Sequence, residues 1–178
     1  AVMATTMEKA TGVADRFDVP LRFDDYETFI ASDRVDAIIL ATPTQLHAEQ
    51  GIKAMAAGKH VLVEIPMADS LADSERLVAK QAETGLVGMV GHVRRFNPSH
   101  QWVHNEISKG ALSIQQMDVQ TYFFRRTNTN ARGEPRTWTD HLLWHHAAHT
   151  VDLFAYQTGG EIVQANAVQG PIHPNLGI

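Results

Sequence analysis

The chain has 178 residues, 44% hydrophobic and 20% charged, with a formal net charge of −5; this excludes a disordered or low-complexity chain and suits one sizeable core or two small ones. The acidic balance speaks against generic nucleic-acid binding, no apolar run approaches the ~18 residues needed to cross a bilayer, and the start AVMATTMEKA lacks the basic end and apolar centre of a signal peptide. With no cysteine, disulfides and thiolate metal sites are ruled out, and a cytoplasmic protein is expected.

AVMATT reads as a strand leading into a helix. The run VDAIIL, 35–40, is a continuous apolar strand of the kind buried on both faces, and HVLVEI from His60 and LVGMVGHV from Leu86 repeat that character. Amphipathic helices lie between them. Thr44 is placed to cap one that carries Leu46, Ile52 and Met55 on its apolar side and ends at Gly58; Ser70, with Asp73 three residues on, opens another that stops at Gly85. This alternation predicts α/β architecture, a doubly wound parallel nucleotide-binding domain over residues 1–92. No G-x-G-x-x-G turn is present and AVMATT has the character of a second strand. The domain is therefore expected to lack its first strand and glycine-rich turn, the chain being a fragment.

From residue 93 the pattern changes. Asn97 and Pro98 start a helix reaching Lys109 and Gly110, and IQQMDVQTYFFRR, 114–126, is a long alternating strand. A polar loop, TNTNARGEPRTW, leads to a histidine-rich helix reaching about Tyr156 with a Gly159-Gly160 stop, and EIVQANAV, 161–168, reads as a further strand. Strands with one wet face predict a second, α+β domain over 93–178, with an open, largely antiparallel sheet.

Within that domain, HLLWHHAAHTVD, 141–152, sets His141, His145 and His149 four residues apart on one helical face, with His146 beside the middle one. Metal clamp, packed core and proton-handling surface compete as explanations. The i, i+4 spacing suits zinc, but no glutamate follows as in H-E-x-x-H, and no metal is expected. Hydrogen-bonded core imidazoles remain an alternative for all of the group, Trp144 reads as packing, and Asp152 as serving the helix or a domain interface. Arg94, Arg95, Arg125, Arg126, Arg132 and Arg136 fall within one central stretch, pointing to a local anion site in an acidic protein.

ATPTQLHAEQGIKAMAAGKHVLVEIPMADS, 41–70, resembles the glucose-fructose oxidoreductase, inositol dehydrogenase and MocA family, in which A-T-P-x-x-x-H leads to A-G-K-H-V-x-x-E-K-P. GHVRRFNP and HHAAHTVDLF are similar to that family's next two landmarks, so the likeness covers nearly the whole chain. It implies NAD(P)-linked hydride transfer, with cofactor in the first domain, substrate between the two domains, and a homo-oligomer, a dimer, when full length. Thr42 and Pro43 would border the cofactor, His47 would join them from the following helix, and Glu64 would lie near the nicotinamide ribose. Where an NAD enzyme presents a carboxylate to the ribose 2′-hydroxyl, this chain has Thr5 and Thr6; that leans towards NADP, with Lys9 as phosphate partner and NAD as the alternative.

EIPMADS, GHVRRFNPSHQ and QANAVQGPIHP are similar to a branch of the family that oxidises the hemiacetal of a dicarboxylated semialdehyde to a lactone. Guanidinium forks grip carboxylates bidentately, so Arg94, Arg95 and Arg125, with His146, are the expected contacts to a small dicarboxylate substrate. The family's Glu-Lys-Pro reads here Glu64, Ile65, Pro66, and the aspartate of its later D-x-x-x-H pair is His145, while His149 keeps its position. A hemiacetal hydroxyl is more acidic than an ordinary alcohol. An imidazole of pKa ~6.5 then serves as base without lysine: His149 is the expected base, assisted by His145. The competing readings are a noncatalytic cofactor sensor that keeps the loops and has lost its proton-transfer residues, and a related family dehydrogenase acting on another carboxylated substrate.

Overall fold

Parallel strands need a crossover between them, and in the first half of the chain each crossover is a helix. A computed structural model describes residues 1–122, 124, 126–129, 133–135 and 142–176 of the chain, which divides into two units, Ala1–Gly91 and His92–Ile178. In the first unit β1 (Val2–Met3) pairs in parallel with β2 (Arg22–Phe23) across α1 (Met7–Arg16). After α2 (Tyr26–Ala31), β3 (Ala37–Leu40), β4 (His60–Val63) and β5 (Gly88–Val90) form a second parallel sheet in that order, crossed by α3 (Thr44–Ala56) and α4 (Leu71–Thr84). Ala37 is in register with His60 and Leu40 with Val63, so the carboxyl ends of β3 and β4 finish side by side. The predicted doubly wound parallel domain is this arrangement.

Ile38, Leu40, Val61 and Val63 share one core with Phe29 and Ile30 of α2, Ala54 and Met55 of α3 and Leu77 of α4. Ile39, between two buried neighbours, is 71% exposed. The apolar run of β3 is thus buried on one face instead of the expected two, because successive strand side chains point to opposite faces and one of them meets helices. Helix α3 also departs from expectation. Pro43, not Thr44, holds its N-cap, with no side-chain cap bond. That sets the inward face to His47, Ala48, Gly51, Ala54 and Met55 and leaves Leu46 exposed. A Cβ on Gly51 would meet Leu77 Cδ1 at 2.6 Å, so its bare backbone is what lets α3 and α4 approach. The cap of α4 is as read: the Asp73 amide donates to Ser70 Oγ at 3.1 Å, the Ser70 hydroxyl donates to Asp73 Oδ2 at 2.9 Å, and Gly85 ends the helix at φ 64°.

The second unit opens with a 3-10 turn, Val93–Phe96, followed by α5 (Pro98–Ser108), α6 (Leu142–His145) and α7 (Ala147–Thr158). Asn97 caps α5 through the Ser99 amide, with proline in the first position. The histidine-rich helix is not one rod. His146 stands between α6 and α7 at φ −103° and ψ −31°, which interrupts the i to i−4 ladder, so the expected continuous face of imidazoles is broken after His145. Among the described residues the expected antiparallel sheet is represented by one bridge, Thr129 to Pro135. The described parts of 114–126 and 161–168 pair with no strand: alternation supplies an apolar face, but a strand holds its shape against a neighbour that completes its hydrogen bonds. No helix among the described residues is long and apolar enough to cross a membrane.

Candidate functional site

In open parallel sheets ligands gather beyond the carboxyl ends of the strands, which here means the loops after β3 and β4. After β3, Thr42 is half-buried and its hydroxyl donates to Gln50 Oε1 of α3 at 2.6 Å, while Pro43 is exposed. After β4, Glu64 is half-buried and lies against Gly91, which follows β5; a Cβ at 91 would stand 2.8 Å from Glu64 Oε2 and 3.4 Å from its Cα. Since the Gly91 amide is fixed by donating to the Val63 carbonyl at 2.8 Å, a side chain at 91 would push the Glu64 carboxylate from this position. Gly91 was not among the residues singled out, although a glycine closing an apolar strand is the signal of such a close approach.

Thr5, Thr6 and Lys9 do come together, at the exposed N-terminus of α1. Thr6 Oγ1 accepts from the Lys9 amide at 3.3 Å, and Lys9 Nζ donates to Thr5 Oγ1 at 3.4 Å. His47 is placed otherwise than expected. It is 1% exposed, with Nδ1 2.8 Å from the Pro66 carbonyl and Nε2 2.7 Å from the Thr42 carbonyl. Both ring nitrogens are engaged inside the protein, so the ring is not offered to a ligand.

In the second unit, α7 presents His149, whose ring stands edge-on to that of His92 with centroids 6.4 Å apart. Each Nδ1 is buried and has no hydrogen-bond partner among the described residues. His92 was not anticipated; the string GHVRRFNP held it in plain view, but nothing in its spacing tied it to a residue 57 positions later. The Arg95 guanidinium grips Asp152 with two bonds, Nε to Oδ2 at 2.8 Å and Nη2 to Oδ1, and its carbon lies 5.1 Å from the centroid of the Tyr156 ring. The Nε–Nη2 edge of Arg95, expected as a substrate contact, is thus occupied by a carboxylate of its own chain. Asp152 thereby anchors α7 to the 3-10 turn, in keeping with its reading as a residue that serves the helix. Arg94 is less committed, reaching Thr150 Oγ1 at 3.5 Å. His146 is half-buried, whereas Arg125, His141 and the His145 side chain lie outside the described residues.

Burial pushes the His149 imidazole below its ordinary 6.5, with the positive fields of Arg94, His92 and His146 acting in the same direction and Asp152 opposing them. Burial likewise lowers His92, against Asp152 and with Arg95. A depressed folded value means that the unfolded chain binds more protons below 6.5, so stability present above 6.5 is lost as pH falls through the folded values. The urea midpoint of unfolding is therefore expected to drop between about pH 7 and about pH 5; a midpoint that rises over that window would contradict neutral, buried rings.

Residues 1–92 match the model of an oxidoreductase family with an NAD-binding Rossmann fold, and residues 98–178 match that of bacterial oxidoreductase C-terminal domains. The chain belongs to the Gfo/Idh/MocA oxidoreductase family. It is 66% identical over 178 residues, its whole length, to the 4-carboxy-2-hydroxymuconate-6-semialdehyde dehydrogenase of a Sphingobium strain, and spans 56% of that relative's length. A crystal structure of an oxidoreductase domain protein from Kribbella flavida superposes with a TM-score of 0.73 at 26% identity, covering 88% of this chain and 43% of its own. A 3-ketoreductase from Actinomadura kijaniata, solved with NADP and TDP-benzene, gives a TM-score of 0.55 at 31% identity over 61% of this chain and 33% of its own. The family model is that of an NAD-binding Rossmann fold, and the residues beyond the strand ends are of a kind that fits a nicotinamide cofactor. Pro43 is exposed, the glycine at 91 leaves the Glu64 carboxylate uncrowded, and Thr5, Thr6 and Lys9 offer hydroxyls and a cation at a helix start, with no carboxylate at positions 5 and 6.

Proposed function

We propose that the full-length protein is an NAD(P)-dependent dehydrogenase that oxidises the hemiacetal of 4-carboxy-2-hydroxymuconate-6-semialdehyde to 2-pyrone-4,6-dicarboxylate. The observation that carries this reading is the 66% identity to a dehydrogenase of that semialdehyde, sustained over all 178 residues. The nicotinamide, when bound, supplies the acceptor for the hydride leaving the hemiacetal carbon. The hydroxyl proton goes to His149 as the carbon–oxygen double bond of the lactone forms. Burial suits the ring to that task, because it keeps His149 unprotonated and ready to accept at neutral pH. His145 assists as the preceding residue of the family pair. Arg94, Arg125 and His146 receive the substrate carboxylates, and the part of Arg94 is supported by its single long bond to Thr150, which leaves most of its fork for a carboxylate. Arg95 contributes indirectly, by fixing Asp152 and with it the helix that carries His149.

On the cofactor side, Thr42, Pro43 and Glu64 border the nicotinamide half, and Thr5, Thr6 and Lys9 favour NADP through its 2′-phosphate. A carboxylate at that position would repel the phosphate and accept from a free 2′-hydroxyl. Thr5→Asp is accordingly expected to lower kcat/KM for NADP by roughly 10- to 100-fold while sparing NAD, on the order of 1.4 to 2.7 kcal/mol of discrimination. A variant whose NADP to NAD ratio stays within twofold of wild type would remove Thr5 from the site.

The test of the reaction is absorbance at the reduced-nicotinamide band, with the full-length protein, either cofactor and the freshly prepared semialdehyde. Reduction with the pyrone dicarboxylate as product is expected. Cofactor binding without reduction would instead favour a noncatalytic sensor, which Ile65 and His145, in place of the family's lysine and aspartate, would suit.

A further inference from the structure

The loops after β3 and β4 come from different crossovers, and the pairing of those strands ends at Leu40 and Val63. Past that point the Glu64 amide still donates to the Leu40 carbonyl at 3.0 Å; beyond it the two loops need another connection to keep a fixed spacing. His47 bridges them. Its ring lies against the Thr42 carbonyl on one side and the Pro66 carbonyl on the other, at 2.7 and 2.8 Å, in a position 1% exposed. The ring itself is placed by α3, whose neighbouring Ala48 and Gly51 face the same core, and α3 also grips Thr42 through Gln50. One helix turn therefore holds the first loop by its backbone and by its side chain, and the second loop by its backbone.

We infer that His47 is a positioning residue for the cofactor: an internal strut that sets the distance between the loop bearing Thr42 and Pro43 and the loop bearing Glu64, without touching the cofactor itself. The inference rests on the cofactor reading given above. The ring donates to whichever carbonyl faces its N–H, and its removal leaves that carbonyl without a donor and the space between the loops unfilled, so the loops separate or admit water, and the cost appears where both must close on one ligand. The proton-transfer residues lie in the other unit and are left as they were.

The test is fluorescence titration of the full-length protein with NADPH, alongside steady-state kinetics, for wild type, His47→Phe and His47→Gln. Phenylalanine keeps the ring volume and offers no donor; glutamine keeps a donor group. His47→Phe is expected to raise Kd for NADPH and KM for NADP about tenfold, with kcat at saturating cofactor within about threefold, and His47→Gln to recover most of the loss. A lowered Tm with Kd and KM unchanged would overturn the inference and leave His47 a packing residue. Should His47→Phe not fold, His47→Asn, whose shorter arm reaches one carbonyl, is expected to give a smaller rise in Kd, and an unchanged Kd there overturns it equally. Wild-type protein that binds neither NADPH nor NADH would overturn the cofactor reading and the strut's role together, an outcome distinct from binding that is indifferent to position 47.

Discussion

If the proposed reaction holds, His149→Ala in the full-length protein is expected to lower kcat for semialdehyde oxidation by about 10²- to 10⁴-fold, the range ordinarily lost with a positioned general base. The expectation follows from three features of one side chain. His149 sits on a helix whose orientation is fixed by the Arg95–Asp152 pair three residues along, so the ring does not search for its position. Its Nδ1 is buried with no partner among the described residues, which leaves the ring without a competing internal bond at that atom. Burial first, and the surrounding positive charge second, hold its pKa below 6.5, which favours the neutral form that the proposed base role requires. The sign fixes the pH profile. In wild type, log kcat/KM is flat above 6.5 and bends downward on the acid side at a value below 6.5; in His149→Ala that limb disappears. Single-turnover rates within a few fold of wild type would remove His149 from proton transfer, and a limb that persists in the variant would assign it to another group, of which His92 is the nearest candidate by geometry.

Arg95→Ala destabilises the second unit by about 2 kcal/mol, and more than Asp152→Ala does. The two partners are unequal in exposure: the Asp152 side chain is 10% exposed and that of Arg95 43%. Removal of the aspartate frees a guanidinium that turns to water, at a cost near that of a surface pair. Loss of the arginine instead strands a carboxylate in a nearly closed site, with the His92 ring at 3.7 Å as its remaining neighbour, and also removes the contact with the Tyr156 face. Solvent reaching Arg95 keeps the figure below that of a fully buried pair. Chemical denaturation of both variants checks it, and equal or reversed losses would show that the carboxylate is not the desolvated member.

The parallel domain was legible because its signals are local: apolar runs, Ser70 with Asp73, and glycine where Gly85 turns left-handed all lie within a few residues of what they control. The site was legible in part. Chain adjacency was enough to bring Thr5 and Lys9 together at the start of α1, as their spacing suggested. Arg95 and His47 meet internal partners that residue type alone does not reveal, for one physical reason. A guanidinium or an imidazole has the same chemistry towards a ligand as towards an internal carboxylate or carbonyl, and only the fold determines which acceptor reaches it first. His92 and Gly91 went unread because their partners lie on other elements. The break at His146 was equally hidden: helical periodicity in sequence continues across a residue whose backbone leaves the helix.

The contacts that fasten α7 have a common feature: each joins positions far apart in the chain. Arg94 to Thr150 spans 56 residues, Arg95 to Asp152 spans 57, Gln157 to His100 spans 57 and His104 to Tyr156 spans 52. Closing a flexible loop of that length costs roughly 3 to 4 kcal/mol of chain entropy, more than any one of these contacts returns. Yet the closures overlap along almost the same stretch of chain, so once one has formed the others follow at little further entropic expense. The second unit's helices therefore dock together or not at all, and substitutions at Arg95, His104 and Gln157 will combine non-additively, the first loss weakening the ground on which the rest depend.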